Sequence, residues 1–115
     1  PWETLRKITG YLKSDGCVLI SIPNIRHYRI LRDLVFYGKW EYQEDGILDN
    51  THLRFFTLKT TKELLKFAGL NISRLKFRMH AGTAVRLMNI ISLGAMRHFL
   101  VFQYHILALK NTGRL

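Results

Sequence analysis

Continuous and alternating apolar positions predict three β-strands along the chain. Residues 17–22, CVLISI, form an unbroken apolar run rich in β-branched types, which is typical of a strand buried on both faces. Residues 71–79 alternate apolar with basic side chains, as a strand with one exposed face does. Residues 101–110, VFQYHILALK, are nearly all apolar, so we expect this strand to lie in the centre of its sheet.

Apolar positions that recur every three or four residues predict four helices. They span residues 1–13, 25–37, 58–68 and 83–98. Gly38 and Gly69 stop the second and third helices, because glycine readily adopts the left-handed conformation that ends a helix. Thr57 or Thr60 can cap the third helix, and Thr60 with Glu63 has the spacing of a capping box. The resulting order, α-β-α-loop-α-β-α-β, indicates an α/β fold.

Residues 38–56, GKWEYQEDGILDNTHLRFF, show no periodic pattern and predict an irregular segment. Loops of this length in compact domains are usually either functional or disordered. The aromatic side chains in this segment argue against disorder, because disordered segments are poor in such residues. We therefore expect an ordered loop with a functional role.

Charge divides the chain into two unequal parts. The 115 residues suit one domain or one portion of a larger domain, with a formal net charge of +10. Up to Glu63 the numbers of basic and acidic residues are nearly balanced, whereas every charged residue after it is Lys or Arg. Such a basic half could face nucleic acid, anionic lipid, a phosphorylated substrate or an acidic protein surface, or its charges could simply be solvated.

The chemistry-bearing residues exclude several classes of site. The sequence has no Gly-rich phosphate loop, no Cys/His pair at metal-binding spacing and no Gly-x-Ser-x-Gly elbow. Cys17 is the only cysteine, so we expect a buried structural thiol and a reducing, cytoplasmic location. No apolar run is long enough for a membrane span.

Asn24 stands directly after the first predicted strand, with Tyr28 about one helical turn further on. In open α/β sheets, ligands bind beyond the carboxyl ends of the parallel strands. Asn24 and Tyr28 are therefore candidate substrate-binding residues. The alternative for Asn24 is that it caps the following helix.

Two stretches carry a family resemblance. PWETLRKITGYLKSDGCVLISIPN and GILDNTHLRFFTLKTTKELLKFAGL resemble the C-terminal half of Rossmann-like (class I) S-adenosylmethionine-dependent methyltransferases. The chain is most similar to the bacterial and archaeal branch that is often found near, or fused to, sugar-transferring enzymes. The resemblance runs from Pro1 to about Leu75, and from there on only the order of the elements agrees.

This resemblance implies that residues 1–115 are the acceptor-side portion of a methyltransferase domain. Residues 17–22 would be strand five of its sheet, residues 71–79 strand six at the edge, and residues 101–109 strand seven, antiparallel between them. The half that binds S-adenosylmethionine would be absent, so we expect cofactor binding in the complete enzyme and none by this chain alone. The expected partners are that missing half or, through the bare strand edge, a second copy of the chain.

The resemblance also places the loop over the carboxyl-end rim of the sheet. Phe55 and Phe56 would anchor it in the core, while Asp49, His52 and Arg54 would face the acceptor. Methyl transfer to a hydroxyl needs a base, and we assign that role to His52. Arg54 could hold a carboxylate or phosphate of the acceptor. The alternative is that His52 and Arg54 only hydrogen-bond the loop to itself.

The function expected from these features is methyl transfer to a small-molecule acceptor, either sugar-containing or lipid-linked. The alternative is a basic binding module without catalytic activity, for nucleic acid or an anionic membrane. Nucleic acid is the weaker of these two partners, because no strand carries a stacking motif and no helix suits groove reading. A third interpretation is an enzyme relic that is kept as a docking surface.

Overall fold

The computed structural model describes residues 1–80 and 82–112, which form helices and strands in the order expected from the sequence. In chain order the elements are α1 (Trp2–Tyr11), β1 (Cys17–Pro23), α2 (Tyr28–Tyr37), α3 (Leu58–Phe67), β2 (Leu70–Met79), α4 (Thr83–Ile91), α5 (Arg97–Leu100) and β3 (Val101–Lys110). The predicted α/β class is confirmed. The helix expected over residues 83–98 is instead two helices.

β3 lies between β1 and β2 and runs antiparallel to both. Ile106 of β3 pairs with Ile20 on one side and with Leu75 on the other. β1 and β2 are therefore parallel to each other, and the chain crosses from one to the other through α2, the irregular segment and α3. The predicted central position of the last strand is confirmed.

The hydrophobic core lies between one face of the sheet and helices α1 and α3. Tyr104, Ile106 and Ala108 of β3 are fully buried, and Leu65 and Ala68 of α3 belong to the same cluster. Burying one large aliphatic side chain of this kind stabilises the fold by roughly 1.5–3 kcal/mol. Because alternate residues of a strand point to opposite faces, β3 supplies this core from every second position.

The predicted burial of β1 on both faces, and of the Cys17 thiol, is wrong. Leu19 is 75% exposed and Cys17 is exposed, since α1 and α3 pack only on the face formed by the alternate residues. The outward face carries a polar ladder instead. The Nε2 of Gln103 donates to the Oγ of Ser21 at 2.7 Å, and an Arg78 nitrogen lies 3.4 Å from the Gln103 oxygen.

α3 begins with a capping box that uses Thr57 and Thr60, and not the predicted pair of Thr60 and Glu63. The Thr60 N–H donates to the Thr57 side chain at 3.3 Å, and the Thr57 N–H donates to the Thr60 side chain at 2.9 Å. These bonds satisfy two N–H groups that would lack helical partners. Gly38 follows α2 with φ 60° and Gly69 follows α3 with φ 72°, so both predicted glycine stops are confirmed.

The fourth predicted helix is interrupted between α4 and α5. Leu93 (φ 50°) and Gly94 (φ 80°) both adopt the left-handed conformation, which ends α4. The Oγ of Ser92 then accepts a hydrogen bond from the Met96 N–H at 3.3 Å, which stabilises the turn. The apolar period continues across the break, which is why it predicts a single helix. None of the described helices is long and apolar enough to cross a membrane.

The two phenylalanines before α3 have different environments. Phe56 is buried beside Ile22, and its ring centroid lies 5.8 Å from that of Trp2. Phe55 is half-buried and packs edge-on against Trp40 within the irregular segment, with a centroid distance of 5.4 Å. The predicted core anchor is therefore confirmed for Phe56 and wrong for Phe55, which holds the loop to itself.

Candidate functional site

The end of β1 is fastened to the start of β3 by Asn24, which is fully buried. Its Nδ2 donates to the carbonyl oxygens of His98 and Val101, each at 2.8 Å, and its Oδ1 accepts from the Arg26 N–H at 3.1 Å. Both amide hydrogens are thus used inside the protein. In this structure Asn24 shapes the rim of the sheet, and α2 begins only at Tyr28, with His27 as its N-cap.

His27 follows this turn and is 1% exposed. Its ring packs against those of Tyr28, His80 and Phe102, with centroid distances of 4.7, 5.6 and 5.9 Å. The Nε2 atom is buried and has no hydrogen-bond partner among the residues that the structure describes. Burial, followed by the nearby His80 and Arg29, lowers the pKa of His27 from 6.5 to about 4. The ring is therefore neutral at pH 7 and holds an unused nitrogen.

A cavity of about 380 Å³ opens beside His27, between α2, residues 39–48 of the irregular segment, His80 and Phe102. It lies where β1 and β2 end and β3 begins. The cavity lining combines apolar side chains with charged groups of both signs. It comprises His27, Arg29, Ile30, Asp33, Lys39, Glu41, Gln43, Asp45, Gly46, Ile47, Leu48, His80 and Phe102. The charged and polar side chains outnumber the four apolar ones, so the cavity suits a polar small molecule better than an apolar one.

A second cavity of about 410 Å³ lies between the end of β2 and α4. Its lining is Met79, His80, Val85, Arg86, Asn89 and Ile90. His80 borders both cavities, so they are neighbours at the rim. Within residues 1–80 and 82–112, the Oδ1 of Asn89 is buried without a hydrogen-bond partner, which leaves an acceptor at this second cavity.

The predicted site residues of the loop bond mainly within the loop. Asp49 accepts hydrogen bonds from the N–H and the hydroxyl of Thr51, each at 2.6 Å, and these bonds lower the pKa of its carboxyl. The Nδ1 of His52 lies 3.1 Å from the carbonyl oxygen of Ile47. Arg54 is exposed. Of the two predicted alternatives for His52, the hydrogen bond within the loop is the one seen in this structure, and Asp49 is bonded within the loop as well.

His52 does not line the cavity but contacts Ile47, a residue that does. Its partner Ile47 lines the cavity, whereas Asp49, His52 and Arg54 are not among the described lining residues. A carbonyl oxygen can only accept, so Nδ1 of His52 is the donor in this hydrogen bond. The bond orients the ring, and the role of His52 as a general base stays a prediction.

Tyr28 positions a charged group at the cavity. Its hydroxyl accepts a hydrogen bond from the Nε of Arg29 at 3.2 Å, and the guanidinium carbon of Arg29 lies 5.8 Å from the centre of the Tyr28 ring. Arg29 lines the cavity, whereas Tyr28 is not among the described lining residues. In this structure Tyr28 reaches the cavity through Arg29, and its role in binding substrate stays a prediction.

Sequence reasoning missed His27 and His80. His27 could have been found from its place at the predicted start of a helix just after a strand, where ligands bind in open sheets. His80 directly follows β2 at the same rim, but no local pattern joins it to His27.

The comparisons leave the family undefined. No protein-family model matches the chain, and no curated protein matches it. In the described residues there is also no group of three or more His, Cys, Asp or Glu side chains that could hold a metal ion. The case for a function consequently rests on the quoted sequence motifs, the strand order and the rim cavity.

Proposed function

We propose that this chain is the acceptor-side portion of an S-adenosylmethionine-dependent methyltransferase that acts on a small-molecule acceptor. One observation carries the proposal: β3 lies antiparallel between β1 and β2. This is the arrangement that the resemblance implies for strands five, seven and six. An alternative antiparallel sheet, such as a simple meander, would place β2 in the middle instead.

The position of the first cavity supports the same proposal. Ligands of open α/β sheets bind beyond the carboxyl ends of the parallel strands, and β1 and β2 both end at this rim. The irregular segment forms one wall of the cavity with Ile47 and Leu48, which are buried. We assign the cavity to the acceptor.

The charged lining suits a polar acceptor such as a sugar derivative. Asp33 and Asp45 can accept hydrogen bonds from hydroxyl groups, while Arg29 and Lys39 can hold a carboxylate or phosphate. Side chains of both signs allow the site to orient a hydroxyl-rich molecule with an anionic substituent. A lipid-linked sugar phosphate has the same polar groups.

His52 is the proposed general base, through Nε2. Because its ring lies behind Ile47 and not in the cavity lining, this role requires the loop to bring Nε2 to the cavity when the acceptor binds. The acceptor hydroxyl would give its proton to this nitrogen as its oxygen becomes nucleophilic. The Ile47 carbonyl oxygen would then stabilise the resulting imidazolium through the Nδ1–H hydrogen bond. The cofactor, when bound, supplies an electrophilic methyl group, and we assign its binding to another part of the domain.

Exposed apolar surface on β1 and α2 supports the proposal that a further part of the domain packs against this chain. Leu19 on the edge strand β1 is 75% exposed, and Val35, Phe36 and Tyr37 of α2 are 71–77% exposed. An uncovered strand edge invites pairing with a further strand. We assign this surface to the cofactor-binding half of the domain or, without it, to a second copy of the chain.

The first test is the sequence encoded upstream of Pro1. The proposal requires a strand followed by a Gly-rich turn roughly 80–100 residues before β1, as expected for a βαβ-based half-domain. Hydrogen exchange should slow for the β1 amides that point away from β3 when that segment is present, because the amides facing β3 are already paired. An upstream sequence without this pattern, or outward-pointing β1 amides already protected in the chain alone, would contradict the proposal.

A further inference from the structure

Helix α4 exposes its apolar face instead of burying it. Leu87, Met88 and Ile91 are 54%, 45% and 72% exposed, and their spacing places them on one side of the helix together with Ala84. None of the α4 residues is buried. In α3, by contrast, the apolar positions are directed into the core. The outward apolar face of α4 therefore lacks a covering layer among the described residues.

The turn after α4 extends this surface. Leu93 is 95% exposed and has φ 50°, a left-handed conformation that residues other than glycine rarely adopt. Ile90, one helical turn earlier than Gly94, is 69% exposed. We call α4 together with residues 92–96 the α4 face. At its end, the side chain of Leu93 projects into solvent from a strained backbone position.

The charged residues of the segment that carries the α4 face have a single sign. After Glu63 the sequence contains no Asp or Glu, and the exposed side chains of Arg86 and Arg97 flank the apolar residues. The Arg97 guanidinium lies over the Phe77 ring, 5.7 Å from its centre, which fixes its position at the edge of the face. A partner with complementary charge must be anionic.

We propose that the α4 face docks on an anionic lipid bilayer. α4 has nine residues and is about 13 Å long, so it would lie in the plane of the interface. Ile91 and Leu93 would enter the acyl boundary, and Arg86 and Arg97 would contact lipid phosphates. This inference does not depend on the proposed methyl transfer.

The composition of the face favours lipid over the other anionic partners. Single-stranded nucleic acid is bound by stacking of bases on aromatic rings, whereas the exposed apolar side chains of α4 and Leu93 include no aromatic ring. A second copy of the same face would bring Arg86 against like charge. An anionic bilayer can take up the exposed aliphatic side chains in its acyl region and pair Arg86 and Arg97 with its phosphates.

The experiment is co-sedimentation of the full chain with lipid vesicles. Vesicles of phosphatidylcholine mixed with phosphatidylserine should bind the chain, and pure phosphatidylcholine vesicles should bind it much more weakly. High salt should reduce binding to the mixed vesicles, because it screens the attraction between arginines and phosphates. Absence of binding to the mixed vesicles at low salt would overturn the proposal.

Single substitutions identify the residues that contact the vesicles. Ile91→Ser should weaken vesicle binding roughly tenfold or more, because burial of one aliphatic side chain is lost. Leu93→Asn should weaken it similarly while leaving the melting temperature unchanged or higher, since Asn tolerates the left-handed conformation. Arg86→Gln should reduce both binding and its salt dependence. The controls Tyr11→Ser on α1, where Tyr11 is 90% exposed, and Lys62→Gln on α3 should bind as the parent chain does.

The outcomes are distinguishable because three occupants of the face predict different results. Vesicle binding that needs Ile91, Leu93 and Arg86 supports the proposal. Equal binding by all variants places the contact elsewhere and overturns it. Self-association without lipid that Leu93→Asn abolishes would assign the face to a second copy. Binding to RNA that competes with vesicles and is insensitive to Leu93→Asn would also overturn the proposal.

Discussion

The Nδ2 of Asn24 lies 2.8 Å from the carbonyl oxygen of Val101, so the residue after β1 is bonded to the first residue of β3. The same nitrogen also reaches the His98 carbonyl oxygen, and the site is fully buried. This contact holds together the two strands whose ends form the rim. The cavity beside His27 depends on that arrangement.

Replacing Asn24 should therefore destabilise the whole fold. Asn24→Ala leaves buried carbonyl oxygens of His98 and Val101 without their donor, which we expect to cost about 2–4 kcal/mol of unfolding free energy. Asn24→Asp keeps an acceptor for the Arg26 N–H but should be at least as damaging. Urea denaturation of both variants measures the effect. Unchanged stability of Asn24→Ala would show that these bonds contribute little.

The buried His27 predicts a pH dependence of stability. Its pKa is lowered from 6.5 to about 4 in the folded state, so between these values the unfolded state binds more protons. Stability should be full above pH 6.5 and fall by up to about 3 kcal/mol as the pH drops to 4. His27→Leu should flatten this slope, while His105→Gln should retain it. Equal slopes in denaturation series of both variants would contradict a buried neutral His27.

The two loop phenylalanines should differ in their effect on stability. Phe56→Ala removes a ring buried in the core beside Ile22 and should cost roughly 3–5 kcal/mol. Phe55→Ala removes a half-buried ring that packs on Trp40, so we expect a smaller loss and a local loosening of the irregular segment. Thermal melts and the fluorescence of Trp40 distinguish the two. A larger loss for Phe55→Ala would reverse the assignment.

His52 should affect turnover much more than folding. In the complete enzyme His52→Ala should lower kcat by roughly 10² to 10⁴, the range typical of losing a general base, with nearly unchanged affinity for S-adenosylmethionine. His105→Gln is the matched control, because His105 lies on the sheet away from the rim cavity. If His52→Ala keeps full activity while His27→Asn loses it, the base is the ring that lines the cavity.

Sequence periodicity predicted the sheet well for a physical reason. The alternation of Leu75 and Phe77 with basic residues indicates a strand with one buried face. The nearly continuous apolar run of β3 indicates a central strand. β1 also has a continuous run, yet Leu19 is exposed. Composition indicates what a strand can bury, but it does not show whether a covering layer is present.

The candidate site was harder to predict because it depends on contacts between distant segments. His27 and His80 meet only after β1 and β2 are placed on either side of β3. The hydrogen bond from His52 to Ile47 likewise depends on how the loop folds back. Local features such as the Gly38 stop were predictable, since they follow from one residue's backbone preferences.

The most direct test of the methyltransferase assignment is a calorimetric titration of S-adenosylmethionine into two proteins. One is the chain of residues 1–115, and the other is the same chain extended by the half-domain encoded upstream of Pro1. We predict saturable binding at one site in the extended protein and no measurable heat with residues 1–115 alone. Binding by neither protein, or equal binding by both, would contradict the assignment of this chain to the acceptor side of the domain.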